Sequence, residues 1–140
     1  MFISYNKVRM HDTDMAGILY FAKQFRFVHD ALEDLMDQEG ITLDHLFHHS
    51  SFAFVVVHAE ADYLKPVKVG DALEVHVEVI HLGTTSFSFA YKIFRKVDHL
   101  LIGKAKTVHV CLDTQTRSKI TLPDELKNIF KKYQPIQQKT

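Results

Sequence analysis

The stretch His11-Asp-Thr-Asp-Met-Ala-Gly-Ile-Leu-Tyr-Phe-Ala-Lys-Gln-Phe-Arg-Phe-Val-His-Asp-Ala-Leu-Glu-Asp-Leu-Met-Asp-Gln-Glu-Gly40 decides the reading of this chain. Two aspartates, Asp12 and Asp14, precede a turn-forming Met15-Ala16-Gly17 and an apolar-aromatic run, Ile18 to Phe21. A helix over about 22–38 follows, with Phe21, Phe25, Val28, Leu32 and Leu35 spaced as one helical face. Gly40 stands where a helix C-terminus needs a left-handed residue. A carboxylate held just before such a helix sits beside backbone N–H groups that have no intrahelical partner, at the positive end of the dipole. A base or nucleophile facing a ready-made oxyanion site is what acyl transfer requires. An aspartate in this place also closes turns and caps helices, and the spacing alone leaves both readings open.

Outward from that stretch the chain alternates strands and turns. Residues 2–10 read as a first strand, with Ile3, Tyr5 and either Val8 or Met10 on buried faces. Residues 41–51 suggest a short helix that Thr42 caps, with Leu43, Leu46 and Phe47 as its inner face. Four strand-like runs follow, at about 52–64, 72–82, 85–96 and 100–113, rich in β-branched and aromatic residues. The second sets Leu73, Val75, Val77 and Val79 against Glu74, His76 and Glu78. The third sets Phe87, Phe89, Tyr91 and Ile93 on one face. Gly103 marks a bulge in the fourth. Leu122-Pro123-Asp124-Glu125 opens a terminal helix, and the tail PIQQKT reads as frayed. One long helix after the first strand, then strands joined by short turns, predicts an α+β fold with an antiparallel sheet.

At 140 residues the chain is read as a single domain, 1–140, able to bury roughly two thirds of its unfolded surface. Lys plus Arg and Asp plus Glu both count 17, which argues against a nucleic-acid partner, since such domains carry a basic excess. A single cysteine, Cys111, gives no intrachain disulfide. The N-terminal residues lack the apolar core of a signal peptide, and no window reaches the length of a membrane span. The expectation is a cytoplasmic protein without a membrane partner. His11 with Asp12 and Asp14, or His48-His49, are weak metal candidates, and no H-x-E or C-x-x-C framework accompanies them, so no metal and no cofactor are expected. His58 and His109 fall within apolar strands, and Cys111 shares a strand face with His109, which reads as a buried, inert thiol.

The run Asp12-x-Asp14-x-x-Gly17-Ile18-Leu19-Tyr20 followed by an amphipathic helix resembles the signature of the 4-hydroxybenzoyl-CoA thioesterase group of hotdog-fold enzymes. The likeness extends from about residue 5 to 126. With Phe54–Ala59, Asp62–Pro66, Gly70-Asp71, Thr107–Cys111, and Tyr20-Phe21 rather than Tyr-His, it is most similar to the 1,4-dihydroxy-2-naphthoyl-CoA thioesterase branch. The resemblance implies a hotdog fold, a five-stranded antiparallel sheet wrapped around a long central helix. It implies hydrolysis of an aromatic acyl-CoA in quinone biosynthesis. It also implies a homodimer or homotetramer with active sites between subunits, for which residues 72–82 and their neighbours would extend the sheet. Carried over by position, Asp14 is the catalytic carboxylate and Gly17 allows close approach of chain and substrate. Tyr20 shapes the acyl pocket, and the N–H near Phe21 binds the thioester oxygen. Apart from the resemblance, His58 in its apolar strand reads by default as a satisfied core or pocket-edge histidine, with contact to a substrate hydroxyl as the sharper alternative. Arg117, Lys119, Lys65 and Lys68 are candidates for the CoA phosphates. The rival readings are a short- or medium-chain acyl-CoA thioesterase and a non-catalytic acyl-thioester binding module.

Overall fold

The computed structural model describes residues 1–135, apart from the side chains of Phe47 and His49. The elements are β1 (Phe2–Lys7), α1 (Gln24–Gln38), α2 (Leu43–His49), β2 (Phe52–Tyr63), β3 (Ala72–Leu82), β4 (Ser86–Arg95), β5 (Leu100–Asp113) and α3 (Asp124–Lys131). Single 3₁₀ turns at Met10–Asp12 and Phe21–Lys23 bracket the stretch that carries Asp14. The strands form one antiparallel sheet in the order β1-β3-β4-β5-β2, and α1 lies across it. This is the expected α+β hotdog arrangement.

The inner faces of β3 and β4 are those the alternation predicts: Leu73, Val75, Val77 and Val79, then Phe87, Phe89, Tyr91 and Ile93, are all buried. Gly40 ends α1 as a complete Schellman motif. Its φ is +80°, its N–H donates to the Asp37 carbonyl, and Ile41 N–H donates to Met36. Thr42 caps α2 through the His45 N–H, and Leu46 is buried beneath it. The expected place of Phe47, and the expected fraying of the tail beyond Pro135, lie outside the described residues. A bulge falls beside Gly103, where Ile93 pairs with Gly103 and Phe94 with Leu101.

Three expectations are corrected. In β1 the buried face is Phe2 and Ser4, while Ile3 is half-buried and Tyr5 and Met10 are exposed; Val8, just past the strand's end, is buried as one of the two alternatives had it. The alternation misled because the inner face of β1 is polar: Ser4 donates to Asp34 and Asn6 to Asp30, both on α1. A one-residue change of parity then moves the whole set to the other face. The acids on α1 thus tie the helix to β1 as well as facing solvent. Second, the buried stripe of α1 is Gln24, Phe27, Val28, Ala31, Leu32, Leu35 and Met36. Phe25 is half-buried on the flank of that stripe, and Phe21 is exposed in the 3₁₀ turn before the helix begins. Third, β3 is hydrogen-bonded on both sides, so it cannot extend the sheet into another subunit. Among the described residues the sheet's edge strands are β1 and β2, and β2 leaves Val55, Val56 and Val57 at 37, 52 and 56% exposure.

Candidate active site

Asp14 occupies the tip of a short hairpin between β1 and α1. Thr13 and Leu19 form its bridge, Asp14 N–H donates to Ile18, Gly17 N–H to Asp14, and Tyr20 N–H to the Asp12 carbonyl at 2.7 Å. The Asp14 carboxylate is exposed; Oδ1 accepts from Ala16 N–H at 2.8 Å, while Oδ2 has no partner among the described residues. Gly17 has φ +79°, which an L side chain rarely adopts, and a Cβ there would meet nothing within 4 Å. The positive φ fits Gly17 to the turn, and the space beside it is open.

The closing arm of the hairpin runs through Tyr20 straight into the helical segment. The N–H groups of Phe21 and Ala22 open that segment and have no partner among the described residues, which leaves donors for an anion or developing oxyanion. The rings of Tyr20 and Phe21 meet edge to face at 4.8 Å. Tyr63, at the end of β2, donates its hydroxyl to the Phe21 carbonyl and ties the helix start to the sheet. Beside this junction lies a cavity of about 290 Å³, walled by Ile18, Leu19, Phe21, Tyr63 and Leu64, with Lys65 at its side. Asp14, Gly17, Tyr20 and Phe21 thus share one hairpin. His58 does not join them: it lies on β2, 58% exposed, with Nε2 3.5 Å from Glu60.

Two anchors hold this site, and neither was foreseen from the residues. Asp12, 0% exposed, accepts from Arg26 Nε at 2.7 Å and Nη2 at 2.5 Å, and from Arg9 N–H at 2.8 Å. Burial alone would raise its pKa; the Arg26 pairing and the Arg9 N–H hold it below the usual carboxylate range. Arg26 also reaches Asp30 at 2.9 Å and the Lys7 carbonyl, so the base of the hairpin is clamped to α1 and β1. The second anchor is Gln24, fully buried, whose Nε2 donates to the Asp62 and Lys104 carbonyls at 3.1 Å each. Gly103 makes room for it; a Cβ there would lie 2.5 Å from Gln24 Oε1. A glutamine on an apolar helix face was the one sequence signal that could have marked this anchor.

Further along the same helix, Phe25, Val28, His29 and Leu32 face Val56, Ala59, Tyr91, Thr107 and His109 across a second cavity, of about 240 Å³. His109 is buried, its Nε2 lies 2.8 Å from Thr107 Oγ1, and its Nδ1 has no partner among the described residues. Burial and nearby His29 push its pKa down to about 4. From an ordinary value of 6.5, the unfolded chain binds the extra proton between these two values. Folding stability is therefore full above pH 6.5 and falls as pH drops toward 4, by up to about 1.4 kcal/mol per pH unit. Urea midpoints at pH 7.5, 6.0 and 5.0 check this; a flat profile in wild type, or the same slope in His109→Phe, would remove His109 as the cause.

Cys111 is buried and its thiol is pushed up to about 11, which makes it inert. Among the described residues no group of three or more His, Cys, Asp or Glu side chains is placed to hold a metal ion. No helix among them is long and apolar enough to cross a membrane.

The model of the thioesterase-like superfamily matches residues 8–130. A 1,4-dihydroxy-2-naphthoyl-CoA hydrolase from Nostoc punctiforme is 39% identical over 127 residues, 90% of this chain and 84% of that protein. Another of that name, from Synechococcus elongatus, is 36% identical over 86% of this chain and 88% of its own. Among solved structures, a 1,4-dihydroxy-2-naphthoyl-CoA thioesterase from Synechocystis superposes with a TM-score of 0.87 at 29% identity, covering 92% of this chain and 94% of that one. The family resemblance read from the Asp12–Tyr20 run is therefore borne out, and the chain belongs to the thioesterase-like superfamily.

Proposed function

We propose that this protein is an acyl-CoA thioesterase that hydrolyses 1,4-dihydroxy-2-naphthoyl-CoA to the free acid and CoA, with Asp14 as the catalytic carboxylate. The observation that carries the reading is the hairpin. It presents a carboxylate with one unengaged oxygen and leads directly into free N–H donors at a helix start, beside a cavity with apolar walls. The two hydrolases named above are 39 and 36% identical to this chain over most of its length, which supports the choice of substrate.

In this reading the thioester oxygen lies against the Phe21 and Ala22 N–H groups. Asp14 either takes a proton from the attacking water or adds to the carbonyl itself, forming an anhydride that water then opens. Both routes place negative charge on the same oxygen, where preorganised donors are worth most. Collapse expels the CoA thiolate, and a thiol of pKa near 8.5 leaves without a general acid. Tyr20 borders the acyl group, and Lys65, which lines this cavity, is the candidate nearest it for the CoA phosphates.

The whole chain works as one cytoplasmic domain and as a homodimer or homotetramer. The exposed valines of β2 support that edge as the joint. A two-fold pair of β2 strands runs antiparallel, so the start of one lies against the end of the other. Arg117, beside Ala53 and Val55 at the start of β2, then approaches the Tyr63–Lys65 end of a second copy. The site would be completed across the joint.

Thiol release from a panel of CoA thioesters tests the function: 1,4-dihydroxy-2-naphthoyl, 4-hydroxybenzoyl, short-chain and long-chain. Fast turnover of the naphthoyl substrate is expected, from material that sediments as a dimer or larger. Preference for aliphatic chains would overturn the substrate, and no release by folded protein would favour a binding module.

A further inference from the structure

We infer that Tyr63 is a positioning residue for thioester hydrolysis: its hydroxyl, donated to the Phe21 carbonyl, aims and polarises the Ala22 N–H as a donor to the developing oxyanion. This rests on the thioesterase reading above and adds a residue of β2 to the machinery of the hairpin and the helix start.

The Phe21 carbonyl and the Ala22 N–H belong to one planar peptide and point in opposite directions. Whatever holds the carbonyl therefore holds the N–H. Tyr63 OH donates to that carbonyl from the end of β2. The bond also acts through the electrons of the amide. A donor on the oxygen draws density from the nitrogen, so the N–H becomes a stronger donor, as successive bonds in a hydrogen-bonded chain do. The peptide before it shows the same pattern. Its N–H is that of Phe21, and its carbonyl, that of Tyr20, accepts from Lys23 N–H at 2.8 Å. Helical geometry supplies the bond behind the first donor, and a side chain from the sheet adds one behind the second. Phe21 and Ala22 are both exposed, which leaves the donors open to a ligand.

The ladder places Tyr63 opposite Gly103 and Asp62 opposite Lys104. The carbonyls of Asp62 and Lys104 take the Gln24 amide, so two adjacent residues of β2 grip the helix start. Their tasks differ. Gln24 is fully buried and fastens the helix to the sheet. Tyr63 is 46% exposed and lines the same cavity as Ile18, Leu19 and Phe21. Burial of part of its ring pushes its pKa above the ordinary 10, so the hydroxyl keeps its proton at neutral pH and remains a donor.

A thioester oxygen carries a partial charge in the bound substrate and nearly a full one in the tetrahedral intermediate. A strengthened donor is therefore worth more in the transition state than in the ground state. Loss of the Tyr63 hydroxyl should lower kcat and spare KM.

Tyr63→Phe keeps the ring that walls the cavity and leaves the Gln24 bonds in place, so the fold should stand. Its kcat should fall about fivefold with KM unchanged, the weight of one neutral hydrogen bond. Replacement of Tyr63 by 3-fluorotyrosine supplies a more acidic hydroxyl of nearly the same size, and should raise kcat above wild type. A purely structural tie would respond to loss of the hydroxyl and not to its acidity. In protein labelled with ¹⁵N-alanine, the Ala22 amide nitrogen should move upfield in Tyr63→Phe and downfield in the fluorinated protein. Unchanged kcat in Tyr63→Phe, a loss carried by KM, or a fluorinated protein no faster than wild type would overturn the inference and leave the thioesterase standing. Wild type that turns over no CoA thioester would fell the thioesterase reading and the inference with it. A moved Ala22 resonance would then mark Tyr63 as a tie of the helix start alone.

Discussion

Asp14→Asn is expected to lower kcat for thioester hydrolysis by roughly 10³-fold or more, equivalent to about 4 kcal/mol of barrier. Stability should be almost untouched, and the two results together carry the weight. Asparagine keeps a side-chain oxygen that can accept from Ala16 N–H, so the turn at the hairpin tip survives. The carboxylate is exposed and its second oxygen has no partner among the described residues, so folding loses little when the charge goes. What disappears is a group able to take a proton or attack a carbonyl. Steady-state thiol release and a thermal melt on the same preparation decide the matter. A variant retaining a tenth of the activity would exclude Asp14 from the chemistry. A variant that melts early would mean the aspartate was part of the scaffold.

Asp12→Ala, two residues away, should behave in the opposite way. It leaves Arg26 facing an empty buried position and the Arg9 N–H unmet, and breaking such a pair from one side costs roughly 3–5 kcal/mol. For a chain of this size that lowers Tm by roughly 10–15 °C. Arg26→Ala should cost a similar amount, because it strands the Asp12 carboxylate. The double variant should lose much less than the sum, since each single change already removes the shared interaction. Additive losses would show that the clamp is not a unit. Activity at a temperature where the single variants are folded should fall through a displaced hairpin, which a higher KM with a smaller change in kcat would report.

The two aspartates show where reading along the chain stops. In Asp12-Thr13-Asp14 both carboxylates are local candidates for the same roles, and only the family resemblance separates them. The separation lies in Arg26, twelve residues beyond Asp14 and on the far side of the 3₁₀ turn, whose side chain turns back over the hairpin. Gln24 and Gly103 are a sharper case. They are 79 positions apart, and nothing in either neighbourhood announces that one makes room for the other. The floor of the second cavity was half visible. The alternation of β5 already put His109 and Cys111 on one face, and Thr107 falls on it too. That Tyr91 of β4 completes the hydrogen-bond chain needs the pairing of the two strands.

The alternation in β3 and β4, the helix stop at Gly40, the cap at Thr42 and the hairpin chemistry around Gly17 were all legible, because each depends on residues within a few positions. Local periodicity and turn propensity act at that range, and they sufficed for the α+β class and for the loop that carries Asp14. The polar inner face of β1, the rotated stripe of α1, the burial of β3 inside the sheet and the exposure of β2 at its edge were not. Each follows from which elements come to lie side by side, a choice settled by burial and hydrogen bonding across the whole chain. Packing gave Asp12 to the scaffold, left Asp14 exposed at the hairpin tip, and gathered Tyr91, Thr107 and His109 beneath a helix that none of them adjoins in sequence.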